Sequence, residues 1–128
     1  MNCNDKKVRF FRCKVCGKII MMVNPTGAPT ICCGREMEAL VPQKNEMASE
    51  KHVPVVSNVG RMVTVNVGSI EHPMEQNHYI QWIAVQTEEG FQLCYLQPGQ
   101  KPEAEFFLEK GPVLNVWEYC SVHGLWEA

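Results

Sequence analysis

The stretch CKVCGKIIMMVNPTGAPTICCG, residues 13–34, decides the fold of the first part of this chain. It contains a C-x2-C pair, Cys13 and Cys16, followed by a vicinal pair, Cys32 and Cys33. The two-residue spacing lets both sulfur atoms of the first pair reach one ion, and four thiolates suit tetrahedral zinc or iron. We therefore predict one four-thiolate metal site in this stretch.

The vicinal cysteine pair constrains the backbone. Adjacent side chains in an extended chain point to opposite faces, so binding one ion through both sulfur atoms requires a tight bend. Gly17 follows the first pair and Gly34 follows the second, and each supplies the backbone freedom that a turn needs. Spacing alone favours zinc over iron, and a disulfide is the least favoured interpretation because we expect a cytosolic protein, in which thiols stay reduced.

The residues around this stretch predict a small domain that depends on its metal. Segment 1–39 is too short to be stabilised by apolar burial alone. Within it, residues 8–12 and 18–23 are predicted as short strands, and residues 24–27 as a turn. The following segment, 40–48, is mostly polar, and we predict that it is a linker.

Residues 49–128 predict an all-β domain. In residues 62–67 valine alternates with other residues, which is the period of a half-buried strand. Further strands are predicted at 53–59, 79–87, 91–97, 104–109 and 113–121, and turns at 89–90, 97–99 and 110–112. About seven short strands at about ten-residue spacing are typical of a β-sandwich. The sequence shows no convincing amphipathic helix.

The composition excludes several classes of function. The chain has 128 residues, a net charge of −2 and no long apolar run, so we expect neither general nucleic-acid binding nor a membrane span. Its first residues lack the apolar core of a signal peptide, so we expect a cytoplasmic protein with reduced cysteines. Seven cysteines and four histidines point to metal binding instead.

All four histidines follow residue 50, and one cysteine accompanies them near the C-terminus. The last two of these residues form a C-x2-H pair that can bind one ion from a loop. If all five converge, they exceed the four ligands that structural zinc needs, suit iron, and leave one octahedral position open for chemistry. The candidate ligands are His52, His72, His78, Cys120 and His123.

Other interpretations of single residues stay open at this point. One or two of the histidines could lie on the surface instead of binding metal. Cys94 lies in a strand pattern and is predicted to be a small buried hydrophobic residue, and Cys3 a free surface thiol. From the residues alone, Glu50 and Lys51 are most simply a solvated turn.

The motifs, in their order, resemble the desulfoferrodoxin family, the two-iron form of superoxide reductase. The resemblance covers essentially the whole chain, and no ligand of the family pattern is missing. The vicinal cysteine pair and the terminal C-x2-HGLW motif are each specific, whereas Cys3 and Cys94 are not part of the pattern. The matching residues are the two cysteine pairs, EKHVP at 50–54, HPM at 72–74, HYI at 78–80, WI at 82–83 and CSVHGLW at 120–126.

The resemblance implies a fold and two mononuclear non-haem irons. The first domain would be similar to desulforedoxin and would hold a rubredoxin-like iron, in place of the zinc that spacing favours, through Cys13, Cys16, Cys32 and Cys33. The second domain would be an immunoglobulin-like β-sandwich that holds the second iron. Its equatorial ligands would be the four histidines, and its axial ligand would be Cys120.

The resemblance also implies an activity, superoxide detoxification. The second iron would reduce superoxide by one electron, and with two protons hydrogen peroxide would leave. Lys51 would attract the anion and help to orient water, and Glu50 would occupy the sixth position of the ferric resting state. A rubredoxin or similar small donor would return the electron, and the protein would form a homodimer, mostly through its first domain.

Two alternative functions stay open for this sequence. One is an iron superoxide dismutase or peroxidase that uses the same five-ligand site. The other is a non-enzymatic electron-transfer module or a binding module stabilised by zinc. Peroxide yield separates the first alternative from a reductase, and iron content with visible absorption separates the second, because zinc sites are colourless.

Overall fold

The computed structural model describes residues 8–45, 47–109 and 112–128 of the chain. Within these ranges the protein consists of β-strands and one short helix, so the all-β prediction is confirmed. Cys3, predicted to be a free thiol, lies outside the described residues, as do two of the three residues of the turn predicted at 110–112. The described part contains no helix that is long and apolar enough to cross a membrane.

The chain divides into two compact units at the bond between Val41 and Pro42. The first unit contains the four clustered cysteines, and the second contains all four histidines. The domain limits that the sequence suggests, 1–39 and 49–128 with a linker at 40–48, stay a prediction. The two units are described separately below.

The described residues of the first unit, from Val8 onward, form two small antiparallel sheets. β1 (Arg9–Arg12) lies between β2 (Ile19–Met22) and β5 (Glu38–Ala39) in one sheet. β3 (Ile31–Cys32) pairs with β4 (Arg35–Glu36) in the other. The first two strands occupy the stretches predicted as strands, whereas two-residue strands carry too little periodicity to be predicted.

Apolar burial in the first unit is slight. Among its described residues, the buried apolar side chains are Phe10, Cys13 and Met37. Each fully buried side chain contributes about 1.5–3 kcal/mol, whereas fixing the backbone of each residue costs about 1–2 kcal/mol. A bound metal can supply the stabilisation that burial lacks.

The second unit is a two-layer β-sandwich, as the sequence predicts. One sheet has the order β10-β7-β6 and the other β12-β11-β8-β9, and all neighbouring strands are antiparallel. Apolar side chains from both sheets meet in the core, among them Val65 of β7 and Ile83 of β8. The strands are β6 (Pro54–Val59), β7 (Met62–Val67), β8 (Ile80–Thr87), β9 (Phe91–Tyr95), β10 (Glu103–Phe107), β11 (Val113–Cys120) and β12 (Gly124–Glu127).

Two elements of the second unit are not predicted from the sequence. β12 is short and shows no alternation that would distinguish it from a loop. The helix α1 (Ser49–His52) is a single turn, too short to show the 3.6-residue period of a helix. The helix α1 ends at the predicted ligand His52, and β12 begins directly after the predicted ligand His123. The two unpredicted elements of this unit therefore help to shape the site.

Candidate metal centres

The four cysteines of the first unit converge on one point, because their Sγ atoms all lie within 4.8 Å of one another. The Sγ atoms of Cys16 and Cys32 are 3.7 Å apart, and those of Cys32 and Cys33 are 3.9 Å apart. Disulfide sulfur atoms lie about 2.05 Å apart. Four sulfur atoms placed tetrahedrally about 2.3 Å from a shared ion lie about 3.8 Å apart. The separations therefore fit a tetrahedral metal and contradict a disulfide.

Turns with positive φ angles bring these cysteines together. Gly17, with φ 79°, donates its N–H to the carbonyl oxygen of Cys13 at 2.9 Å. Cys33 itself adopts the left-handed conformation, φ 53°, and Gly34 follows with φ 74°. The sequence predicts a tight bend at the vicinal pair and assigns the flexibility to the glycine. The structure confirms the bend and places part of it at Cys33.

Hydrogen bonds distribute the protons unevenly among these thiols. The backbone N–H of Cys16 is the main cause that lowers the pKa of the Cys13 thiol to about 6. Hydrogen bonds with neighbouring thiols, first that of Cys16, raise the pKa of Cys33 to about 12. Metal ions bind thiolates, so a metal that enters this group displaces protons.

The four histidines and Cys120 of the second unit form another cluster, with ligand atoms within 4.8 Å of one another. His52 ends α1, and Cys120 ends β11. His72 and His78 lie between β7 and β8, and His123 lies in the turn before β12. His52, His72 and Cys120 are buried, His78 is half-buried and His123 is exposed. The fold thus brings all five predicted ligands together.

Hydrogen bonds determine which nitrogen of two histidines faces the centre. Nδ1 of His52 lies 2.9 Å from the carbonyl oxygen of Ala48, and Nδ1 of His72 lies 2.6 Å from that of Pro73. A carbonyl oxygen only accepts, so each Nδ1 carries the proton and each Nε2 has a free lone pair. The two Nε2 atoms are 3.2 Å apart. Two lone pairs at this distance repel each other unless a cation binds both, so this arrangement fits a shared metal.

The remaining donors point to the same place. Sγ of Cys120 is 3.4 Å from Nε2 of His72 and 3.8 Å from Nδ1 of His123. Nε2 of His78 is buried and has no hydrogen-bond partner among the described residues, which costs about 1–3 kcal/mol without a metal. Burial lowers the pKa of His52 and lowers that of His72 to about 4, so both are neutral, the form that binds metals.

Side chains around the cluster hold its ligands in place. Trp126 stacks on His52 with 4.5 Å between ring centroids and 16° between planes, and its Nε1–H donates to the His123 carbonyl oxygen at 3.2 Å. The side-chain amide of Gln43 donates to the same oxygen at 2.7 Å. The backbone N–H of His123 donates to Sγ of Cys120 at 3.4 Å. The sequence assigns no role to Gln43, which lies in the stretch predicted as a linker.

Glu50 and Lys51 lie in α1, immediately before its last residue, and both are exposed. The backbone N–H of Ile70 and the hydroxyl of Ser69 donate to the Glu50 carbonyl oxygen at 2.9 and 3.1 Å. A Cβ at Gly68 would lie 2.7 Å from the same oxygen. Backbone contacts therefore hold α1 in place and leave its two charged side chains at the surface.

Two other polar or reactive residues of the second unit lie outside the ligand groups. Glu118 of β11 is fully buried, and neither of its carboxylate oxygens has a hydrogen-bond partner among the described residues. Burial raises the pKa of this carboxyl well above its usual range. Cys94 is half-buried and packs against the core, so it is less buried than the sequence suggests.

Two family profiles together match almost the whole chain. The profile described as desulfoferrodoxin matches residues 44–128, and that of the desulfoferrodoxin N-terminal domain matches residues 5–40. The chain belongs to the desulfoferrodoxin family. A desulfoferrodoxin homolog from Methanothermobacter thermautotrophicus is 45% identical over 92% of this chain and 95% of its own length. The resemblance drawn from the motifs is confirmed.

The chain is similar to solved structures of superoxide reductases. The enzyme from Treponema pallidum matches with a TM-score of 0.83 and 33% identity, over 95% of this chain and 98% of its own. The one-iron enzyme from Giardia intestinalis matches with a TM-score of 0.54 and 35% identity, over 62% of this chain and 95% of its own. The four-cysteine group and the four-histidine, one-cysteine group of this desulfoferrodoxin are consistent with the two iron sites of the family.

Proposed function

We propose that this desulfoferrodoxin reduces superoxide to hydrogen peroxide at the five-ligand group of its second unit. The convergence of four histidines and one cysteine on one point carries this proposal. Five donors exceed the four that close a structural zinc site, and the exposed His123 leaves the group accessible to a small solute. The superoxide reductases of similar fold support the same reaction.

The residues of the group divide the work of this reaction. Iron held there would supply one electron, and superoxide with that electron and two protons yields hydrogen peroxide. The carbonyl oxygens of Ala48 and Pro73 keep His52 and His72 oriented, with their lone pairs facing the centre. Cys120 is fully buried, so its sulfur atom lies on the inner side of the group, away from solvent.

Lys51 and Glu50 are the catalytic residues of this proposal. Their support is the position of α1, which exposes both side chains directly before a ligand. In a chain of net charge −2, a local cation raises the concentration of a small anion where it is needed. Lys51 would also hold a water that delivers protons, and Glu50 would occupy the open position of the oxidised centre.

We further propose that the four cysteines hold a rubredoxin-like iron and that a rubredoxin-type protein donates electrons to the enzyme. The exposed Cys16 and Cys33 give such a donor access to the centre. We place the protein in the cytoplasm, where thiols stay reduced. We also propose a homodimer through the first unit, supported by the exposed Val23 and Ile31, and sedimentation of the iron-loaded protein tests it.

Metal analysis combined with rapid mixing tests the proposed function. We expect one iron in each of the two groups, visible absorption, and oxidation of the ferrous second centre when superoxide is added. A colourless protein with zinc in both groups would indicate a zinc-stabilised binding module instead. Iron that superoxide does not oxidise would contradict the proposal.

A further inference from the structure

We infer that Gln43 is a positioning residue for the second centre, because its side-chain amide fixes the turn that follows Cys120 and carries His123. This inference rests on the proposed function only in requiring that the five-ligand group binds a metal. Nε2 of Gln43 donates to the carbonyl oxygen of His123 at 2.7 Å and to that of Leu125 at 3.2 Å. The His123 carbonyl group lies in the turn from β11 into β12, and the Leu125 carbonyl group lies near the start of β12.

The backbone of Gln43 is itself anchored to β12. Its N–H donates to the Leu125 carbonyl oxygen at 3.0 Å, and its carbonyl oxygen accepts from the Glu127 N–H at 3.0 Å. These bonds form a parallel bridge between Gln43 and Trp126. The amide is therefore presented to the turn from a fixed position beside the strand.

The turn requires such support because its ligand is exposed. His123 is the exposed member of the described ligand cluster, and the next residue, Gly124, has a φ of 83°. A rotation of the peptide that joins these two residues would move the imidazole. The carbonyl oxygen of this peptide accepts from both Gln43 and Trp126, so two side chains hold it. A Cβ at Gly124 would lie 3.5 Å from the Gln43 amide nitrogen, at ordinary van der Waals distance, so the amide lies directly beside this turn.

Gln43 also connects ligands that lie far apart in the sequence. The chain runs from Gln43 to Ala48, whose carbonyl oxygen orients His52, and then into α1. Trp126, opposite Gln43 in the bridge, stacks on His52. Gln43 thus acts through His123 and the strand beside it, and not as a ligand.

Substitutions at Gln43 test this role through metal release. Gln43→Glu keeps the size of the side chain but places an oxygen against two carbonyl oxygens, and Gln43→Ala removes the contact. Loss of outer partners of metal ligands typically costs about 10–100-fold in affinity. With both variants loaded with iron, we expect release from the second centre to a chelator to be at least about 10-fold faster. We also expect the absorption of the second centre to shift.

Three controls separate positioning from a general loss of stability. Asn45→Ala, an exposed nearby substitution, should release iron as the unaltered protein does. The absorption of the four-cysteine centre should stay constant in every variant. Gln43→Asn retains an amide donor and should release iron more slowly than Gln43→Ala.

A variant at Trp126 tests the same role if a Gln43 variant does not fold. Trp126→Phe keeps an aromatic ring for His52 but removes the other donor to the His123 carbonyl oxygen, so it should accelerate iron release as well.

The outcomes distinguish this inference from the proposed function. Release from Gln43→Glu and Gln43→Ala at the rate of the unaltered protein, with unchanged absorption, would overturn the inference. In that case the proposed function still stands if superoxide oxidises the loaded protein. Conversely, faster release from the variants of a protein that does not react with superoxide would support the inference while the proposed function fails.

Discussion

Lys51 is the side chain to which the proposed function assigns the capture of superoxide. It is exposed and directly precedes the ligand His52. Lys51→Ala should slow the reaction of the ferrous protein with superoxide by about 10-fold or more at low ionic strength, because steering of an anion is lost. The difference should shrink at high salt. Pulse radiolysis over a range of ionic strength measures this rate.

The control for this variant is the exposed Arg61, which lies in the turn between β6 and β7, at the opposite end of β7 from Gly68 and α1. Arg61→Ala changes the net charge equally and should leave the rate nearly unchanged. Equal rates for the unaltered protein and Lys51→Ala at every salt concentration would show that Lys51 does not steer the substrate.

Glu118 predicts a dependence of stability on pH. Burial raises its pKa in the folded protein, so above the usual carboxyl pKa the unfolded chain releases a proton that the folded chain retains. At low pH, where Glu118 is neutral in both states, its pKa shift costs no stability. As the pH rises above the usual carboxyl pKa toward the raised pKa of the folded protein, the free energy of unfolding falls. Glu118→Gln should therefore raise the melting temperature at pH 7 by several degrees, and this gain should vanish at about pH 4.

Thermal unfolding of the iron-loaded protein at several pH values measures this effect. Glu105→Gln on β10 is the matched control, because its side chain is exposed and should change the melting temperature little at any pH. If Glu118→Gln were less stable than the unaltered protein at pH 7, the buried carboxyl would not destabilise the folded protein at that pH.

Residues that can bind a metal are recognisable in the sequence from the chemistry of their side chains. The spacing of the four cysteines indicates the first ligand group, whereas the residues alone leave open whether all four histidines bind metal. The complete five-residue group follows from the family resemblance. Gln43 has no such recognisable side chain. Its role depends on its pairing with Trp126, which is close in space but lies near the opposite end of the sequence of the second unit. Glu118 is likewise not recognisable from the sequence. Its carboxylate is buried without a hydrogen-bond partner among the described residues because of the way the sheet packs, which the pattern of one strand does not show.

At the scale of elements, long alternating strands are predicted and short elements are not. The alternation in β7 (Met62–Val67) matches its burial, with Val63, Val65 and Val67 facing the core. The single helical turn α1 is too short to show a periodic signal, and tertiary contacts hold it in place. Its clearest contact is the close approach of Gly68 to the Glu50 carbonyl oxygen.

Gly68→Ala should therefore disturb α1. The added Cβ would lie 2.7 Å from the Glu50 carbonyl oxygen and 3.0 Å from the Lys51 carbonyl carbon, and backbone atoms cannot rotate away as a side chain can. We expect a loss of about 1–3 kcal/mol in the free energy of unfolding and faster iron release from the second centre. Gly90→Ala is the control, because a Cβ there meets no atom within 4 Å among the described residues. Equal melting temperatures and release rates for the two variants would rule out this contact as the support of α1.

At the scale of the whole molecule, the two ligand groups lie in different compact units. The order of motifs along the chain predicts this arrangement and the family, because each motif belongs to one unit. The sequence does not predict the first-unit strands of two residues, which are too short to show alternation. The sequence predicts the bend at the vicinal cysteine pair, but only the structure shows that Cys33 itself adopts the left-handed conformation.

Cys13→Ser tests whether the two centres act separately. It removes one of four ligands in the first unit, whereas all five ligands of the second centre follow Pro42. We expect the first centre to lose or change its absorption, and the ferrous second centre to reduce superoxide at an unchanged rate. Cys94→Ser is the control, since Cys94 belongs to neither described ligand group. Loss of the superoxide reaction in Cys13→Ser alone would make the first centre part of catalysis.

The yield of hydrogen peroxide for each superoxide consumed tests the proposed reaction most directly. A reductase supplied with an electron donor forms one hydrogen peroxide for each superoxide and releases no dioxygen, because every superoxide is reduced. We predict this ratio for the iron-loaded protein, together with a requirement for the donor in every turnover. One hydrogen peroxide for every two superoxide molecules, with dioxygen released and no donor required, would identify a dismutase and contradict the proposal.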